Sequence, residues 1–143
     1  MGFVELMQER GLLAQVTHED ELKNHLKGAR RTAYIGFDPT APSLHVGHLL
    51  QVLTLRRWQQ CGHRVIVVVG GGTALVADPT GKTELRPMLT LEDVEHNMQG
   101  IRGQIANLID FSHPDQAIMV NNADWLRRLH YVDLLREVGV HFS

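Results

Sequence analysis

The sequence predicts an α/β fold, a partial doubly wound parallel sheet with flanking helices, and three stretches carry that expectation. Thr32–Phe37 and Arg64–Val69 are short runs rich in β-forming residues. Residues 45–60 between them keep helical spacing, with Leu49, Val52, Leu53 and Leu55 on an apolar side, and a helix of that length between two such strands makes a βαβ crossover. Residues 117–120 add a third strand after another helical segment. The unbroken β-branched run of the second strand is what burial on both faces of a sheet requires.

The remaining elements follow from start and stop signals. Residues 1–11 and 17–28 read as amphipathic scaffold helices, the second opened by Thr17 with Asp20 three residues on and closed by Gly28. Asp38-Pro39 breaks the first strand, Ser43 can cap the helix that follows, and Gly62 ends it. Gly70-Gly71-Gly72-Thr73 stands where a doubly wound sheet carries its ligand loops. Thr90 and Asp93 form a capping-box start to a helix reaching about Ile109, in which Val94, Met98, Ile101, Ile105, Leu108 and Ile109 are the expected core positions. Asn121-Asn122 closes the third strand; Trp125 and an amphipathic helix over residues 131–138 come next, closed by Gly139. No linker, repeat or low-complexity stretch interrupts the series, so one domain is expected.

Composition narrows the function classes. At 143 residues, 43% hydrophobic and 21% charged, the chain has enough apolar material for a core. Its longest apolar run, residues 65–69, is far too short to span a bilayer, and Glu5, Glu9 and Arg10 give the amino terminus none of the order of a signal peptide. No membrane association and a cytoplasmic location are the expectation. The single cysteine, Cys61, permits no internal disulfide, and a formal net charge of −2 offers little non-specific attraction to nucleic acid.

Chemistry concentrates in residues 34–48. A strand, a Pro-containing turn and a helix start meet there, and the first helical turn holds His45, Gly47 and His48. A helix start offers unpaired N–H groups and the positive end of its dipole. Imidazoles three residues apart share a face, so a polyphosphate could lie across both, and the missing Cβ of Gly47 leaves room for a flat base. Two other phosphate patterns fail. The dinucleotide fingerprint on Gly70 and Gly72 needs a small residue where Leu75 stands, and a Walker A loop ending at Gly81-Lys82-Thr83 needs glycine where Val76 stands. A zinc site joining Cys61 and His63 to the two histidines is disfavoured, because they lie about 20 Å apart along the helix. No metal ligands are assigned.

Gly36-Phe37-Asp38-Pro39-Thr40-Ala41, followed by Ser43-Leu44-His45-Val46-Gly47-His48, resembles the first signature of bacterial tyrosyl-tRNA synthetases, whose second half is the HIGH element of class I synthetases. Gly70-Gly71-Gly72-Thr73, Asp78-Pro79-Thr80-Gly81-Lys82 and Arg86 are similar to the family's second stretch. The resemblance continues through Asn97, Ile101 and Gln104, then Asn121-Asn122-Ala123-Asp124-Trp125 and Gly139-Val140-His141-Phe142. It implies that residues 1–143 are the amino-terminal half of a catalytic domain. Residues 1–30 would be a helical lead-in and 31–143 a Rossmann-like half, with the KMSKS loop and the anticodon-binding region beyond Ser143.

The same resemblance implies the residue roles. Thr40, His45 and His48, with Lys82 and Arg86, would be catalytic. Gly36, Asp38, Thr40, His45, Gly47 and His48 would bind ATP, which enters with Mg²⁺. Tyr34, Gly36, Asp38, Thr73 and Asp78 would bind tyrosine, Tyr34 at the phenol and Asp78 at the ammonium. Without the resemblance, Tyr34 reads as a core residue at a buried strand end, Asp38 as a turn residue and Lys82 and Arg86 as an exposed loop. Ile35, Ala77 and Leu85 depart from residues common in the family. The implied reaction is activation of tyrosine to tyrosyl-adenylate followed by transfer to tRNA(Tyr), in a homodimer paired through residues 121–142; the 143 residues alone are expected to be inactive. Two rival readings stand beside it, a small His-x-Gly-His nucleotidyltransferase and a catalytically silent interaction module. The first normally carries its motif near the amino terminus, whereas here His45 is preceded by 44 residues.

Overall fold

The computed structural model describes residues 2–75 and 89–142. Two short helices, α1 (Phe3–Glu9) and α2 (Glu19–Leu26), precede the sheet. Then come β1 (Thr32–Phe37), α3 (Val46–Gln60), β2 (Arg64–Val69), α4 (Leu91–Ala106), β3 (Ala117–Asn121), α5 (Ala123–Leu126) and α6 (Tyr131–Glu137). The three strands are parallel in the order β1-β2-β3, with Tyr34 level with Ile66 and Ile66 level with Ile118. The expected α/β architecture is present.

Both crossovers step in the same direction across the sheet, so their helices cover the same face. That face carries Ala33, Ile35 and Phe37 of β1, Val65, Val67 and Val69 of β2, and Ala117 and Met119 of β3. They pack against Val52, Leu55 and Trp58 of α3 and Ile101 and Ile105 of α4, with Ile109 beyond it. Side chains alternate along a strand, so Tyr34, Gly36, Ile66 and Val68 point the other way, and none of these four is fully buried. The expectation that β2 is covered on both faces is therefore corrected: its burial alternates, complete at 65, 67 and 69 and partial between. One direction of winding covers one face of a sheet.

Several boundaries also shift. The cap of α3 is His45 rather than Ser43, which places His45 just before the first turn instead of within it. The buried side of α3 is Val52, Leu55 and Trp58, while Leu49 is 43% exposed because it precedes the stretch that meets the sheet. Helix α2 starts two residues later than expected, at Glu19, and its flanking residue His18 makes no side-chain cap bond. Thr90 and Asp93 do form the reciprocal cap of α4, Thr90 Oγ1 accepting from the Asp93 amide at 3.1 Å and Asp93 accepting from the Thr90 amide at 3.0 Å. Hydrogen bonding to Thr90 holds the Asp93 carboxyl below its usual range. Helix α4 ends at Ala106, short of the expected Ile109, although Ile109 is still buried. Gly139 opens a short 3₁₀ turn, Gly139–His141.

Candidate active site

The carboxyl ends of the three strands bring the site together. Asp38 follows β1, Gly70-Gly71-Gly72-Thr73 follows β2, and Asn121-Asn122 closes β3. Thr73 Oγ1 has one proton to give and lies within reach of two acceptors, Asp38 Oδ1 at 3.3 Å and the Gly70 carbonyl at 3.1 Å. Asn122 Nδ2 donates to Thr73 Oγ1 at 3.2 Å, and Asn122 Oδ1 accepts the Gly72 amide at 2.7 Å. A chain of polar contacts thus runs from β3 through the glycine loop to Asp38. Gly70 allows this closeness: an added Cβ would overlap Asp38 Oδ1 and stand 2.6 Å from Thr73 Oγ1, so both side chains would have to turn away. Asn122 is a residue whose role sequence reasoning missed. Its signal was an amide side chain at the end of a predicted strand, where a buried polar group has to find a partner.

The second cluster sits at the start of α3. His45 Nδ1 accepts the Gly47 amide at 3.1 Å, and His48 Nδ1 accepts the His45 amide at 3.3 Å. Two of the amides left unpaired at the helix start are thereby satisfied by imidazoles. An Nδ1 that accepts carries no proton, so the proton of each neutral ring is on Nε2 and is available as a donor. The rings stack with centroids 3.8 Å apart and planes inclined by 27°. Burial, and secondarily the neighbouring His45, lowers the His48 pKa against the opposing pull of Asp38. His48 is therefore held neutral, a hydrogen-bond donor more than a fixed cation. The space beside Gly47 is taken by the His45 ring in this arrangement, since an added Cβ would lie 2.9 Å from His45 Cε1.

The structure places the other expected residues as follows. Thr40 stands exposed on the loop between Asp38 and His45, its amide donating to the Asp38 carbonyl at 2.9 Å. Tyr34 is 73% exposed, so its reading as a core residue is wrong; it shares the open face of β1 with Gly36. Asp78, Lys82 and Arg86 lie outside the described residues, as do Ala77 and Leu85. Cys61 and His63 are at the far end of α3, where His63 Nδ1 accepts the Arg31 amide at 3.3 Å. Burial raises the Cys61 thiol pKa, which disfavours the thiolate a metal or an electrophile would need.

Two cavities flank these groups. One of about 240 Å³ lies between α3 and α4, bordered by Leu44, His45, Val46, Leu49 and Gln104. A larger one of about 580 Å³ lies between α4 and β3, lined by Met98, Phe111 and Met119 and holding none of the expected site residues. The smaller cavity is the one that touches the histidine cluster. Among the described residues, no helix is long and apolar enough to cross a membrane.

Comparison with known proteins agrees with this geometry. The sequence profile of the tRNA synthetases class I (W and Y) matches residues 26–143. The tyrosine–tRNA ligase of Clostridium botulinum strain Hall is 54% identical over 139 residues, covering 97% of this chain and 34% of the relative. That of Caldanaerobacter subterraneus subsp. tengcongensis is 51% identical over 143 residues, covering 100% of this chain and 35% of the relative. The chain thus spans about a third of the length of these curated relatives. Among solved structures, a C-terminally truncated Aspergillus nidulans mitochondrial tyrosyl-tRNA synthetase superposes with a TM-score of 0.83 at 30% identity, over 99% of this chain and 43% of that one. A tyrosyl-tRNA synthetase of Archaeoglobus fulgidus complexed with L-tyrosine shares the fold, with a TM-score of 0.66 at 20% identity over 91% of this chain and 37% of that one. With a histidine-capped helix start, a glycine loop tied to Asp38 and a profile match over most of its length, the chain belongs to the class I tRNA synthetases of the W and Y group.

Proposed function

We propose that this chain supplies the amino-terminal part of a tyrosine–tRNA ligase, which activates tyrosine with ATP and transfers it to tRNA(Tyr). The observation that supports the chemistry best is the pair of imidazoles at the α3 start, each with Nδ1 occupied by a backbone amide and Nε2–H left to donate. The relatives' names supply tyrosine as the amino acid.

In the activation step the tyrosine carboxylate attacks the α-phosphorus of ATP. A carboxylate O–P bond forms and the bond from the α-phosphorus to the α,β-bridging oxygen breaks, that oxygen leaving as a terminal oxygen of pyrophosphate. The attacking carboxylate is already ionised at neutral pH, so no general base is needed, and catalysis comes from positioning and from stabilising charge on the departing pyrophosphate. His45 and His48 donate to that charge from the positive end of the α3 dipole. Thr40 stands on the loop leading to them. Asp38, steadied by Thr73 and through it by Asn122, borders the reacting groups. Mg²⁺ would enter with ATP as part of the substrate and would supply shielding of the phosphate charge. Lys82 and Arg86 would form one side of a clamp on the pyrophosphate, Asp78 would take the tyrosine ammonium, and Gly36, with open space where a Cβ would stand, would leave room for a ligand.

The test uses a full-length tyrosine–tRNA ligase carrying residues 1–143 as its amino-terminal segment. Because His45 is also the cap of α3, His45→Ala removes two functions at once, costing about 0.5–2 kcal/mol of stability as well as the phosphate donor. His45→Ser separates them, since serine caps well and is too short to replace the imidazole. Tyrosine-dependent exchange of pyrophosphate into ATP should fall about 10²- to 10³-fold in His45→Ser, with thermal stability and the KM for tyrosine near those of the parent. Near-normal turnover in that variant would remove His45 from the mechanism.

A further inference from the structure

The loop that carries Asp38, Thr40 and His45 is held from outside by one face of α4. Asn97, Gly100 and Gln104 lie at i, i+3 and i+7 and therefore share a side of that helix. Asn97, only 6% exposed, donates from Nδ2 to the Pro39 carbonyl at 2.9 Å. Gln104 Oε1 accepts the Leu44 amide at 2.8 Å. Between these two bonds Gly100 meets the backbone of Pro42 so closely that an added Cβ would overlap the carbonyl oxygen and come within 3.1 Å of the carbonyl carbon. The helix is a firm base for such contacts, because Ile101 and Ile105 on its neighbouring face are 1% and 0% exposed in the core.

We infer that Asn97, Gly100 and Gln104 of α4 are positioning residues that set the path of the 38–45 loop, and through it the placement of Asp38, Thr40 and His45 on the nucleotide. The inference rests on the functional reading above. Pro39 and Pro42 lack N–H groups, so the loop has few backbone bonds of its own. The α4 contacts fall at 39, 42 and 44, within the stretch bounded by Asp38 and His45 and on both sides of Thr40. The glycine in mid-helix is then explained. Glycine costs a helix interior about 1 kcal/mol relative to alanine, and at position 100 the close approach of Pro42 leaves no room for a methyl group. Gly103, on the same helix, has nothing within 4 Å of an added Cβ. It provides an internal control.

The experiment compares Gly100→Ala with Gly103→Ala in the full-length ligase described above. Both exchanges improve helix propensity equally, so a residue that merely builds the helix predicts equal behaviour. The positioning role predicts that pyrophosphate-exchange kcat falls about 10²-fold in Gly100→Ala, as a displacement of about 1 Å at a reacting group does, with the KM for tyrosine unchanged and Gly103→Ala matching the parent. Equal kcat in the two variants overturns the inference. Hydrogen–deuterium exchange of the amides at 40–46, measured on the same proteins, needs no activity. Faster exchange in Gly100→Ala than in Gly103→Ala supports the contact, and equal exchange overturns it. If the parent itself shows no tyrosine-dependent exchange of pyrophosphate, the functional reading fails, and the amide exchange still decides whether α4 holds the loop. Should Gly100→Ala not fold, Gln104→Met and Gln104→Glu replace it. The first, losing the acceptor for Leu44, should lower kcat about tenfold, and the second should restore it; indistinguishable kcat values overturn the inference.

Discussion

Tyr34 is the side chain whose environment says most about what this surface does. A tyrosine 73% exposed in the middle of a strand gains little from the hydrophobic effect in this chain. Its hydroxyl also has no bond among the described residues. Beside it along the strand, Gly36 leaves open space where a Cβ would stand. An aromatic ring with a free hydroxyl, next to a gap, suits the recognition of a flat ligand with a polar tip. In the full-length ligase, Tyr34→Phe should relax the preference for tyrosine over phenylalanine about tenfold, the worth of one neutral hydrogen bond at the upper end of its usual range. Pyrophosphate exchange measured with each amino acid checks this; unchanged discrimination returns Tyr34 to a purely structural role. The residue types were legible in the sequence, since tyrosine, aspartate and the two histidines fall within one strand-turn-helix stretch, residues 34–48. Their mutual arrangement was not. That Asn122 reaches Thr73 and that the imidazoles cap their own helix depend on contacts across 49 residues and on ring rotation, which periodicity does not encode.

At the scale of elements, α3 links the site to the opposite end of the sheet, and that end contains a pH-sensitive corner. Phe3 of α1 meets Trp58 edge-on with ring centroids 4.9 Å apart, and Trp58 in turn lies 4.3 Å from the ring of His63. Trp58 Nε1 donates to the Arg64 carbonyl at 2.9 Å, and His63 Nδ1 accepts the Arg31 amide, tying α3 to the first residues of β1 and β2. Burial lowers the pKa of His63, with Arg30 and Arg31 adding to the effect. A folded-state value below the unfolded one, near 6.5, means that the unfolded chain binds the proton more readily. The contribution of His63 to stability is therefore complete at pH 7 and above and is lost as the pH falls below about 6.5 toward the folded-state pKa. His48 acts in the same sense. Thermal unfolding followed between pH 7.5 and about 5 should show stability declining with acid. His63→Gln should be less stable at pH 7.5 and show a shallower decline; an identical slope would assign the pH dependence elsewhere. Strand and helix identities were legible from periodicity, while their ends were not. Residue type pointed to Ser43 as the cap, and the structure uses His45 instead: Gln104 holds the Leu44 amide and the imidazole reaches the Gly47 amide, contacts that residue preference does not encode.

For the whole molecule, the distribution of apolar surface separates the packed sheet from the chain that follows β3. Where the sheet meets its two crossover helices the apolar side chains are buried, with Val65, Val67, Val69 and Ile105 at 0% exposure. Beyond β3 the pattern reverses. Neither α5 nor α6 buries a residue, and Trp125 is 47% exposed, Leu129 52%, Tyr131 73% and Phe142 76%. An amphipathic segment rich in aromatic residues, exposed among the described residues, has the composition of an interface core. Burial against the other described residues, the competing explanation, does not fit these exposures. The proposal that residues 121–142 pair two copies of the ligase is consistent with them. Leu129→Asp in the full-length protein would then place a charge in a desolvated contact between copies, and the subunit dissociation constant should rise at least about tenfold, an effect of about 1.4 kcal/mol that sits below the loss usual for a central contact. Far-UV circular dichroism unchanged from the parent would show that the substitution acts on the contact between copies and not on the fold. Sedimentation equilibrium across a concentration series reads the constant directly. Phe142→Asp makes the same test at the other end of the segment, and dimers of parental affinity in both variants would place the subunit contact elsewhere.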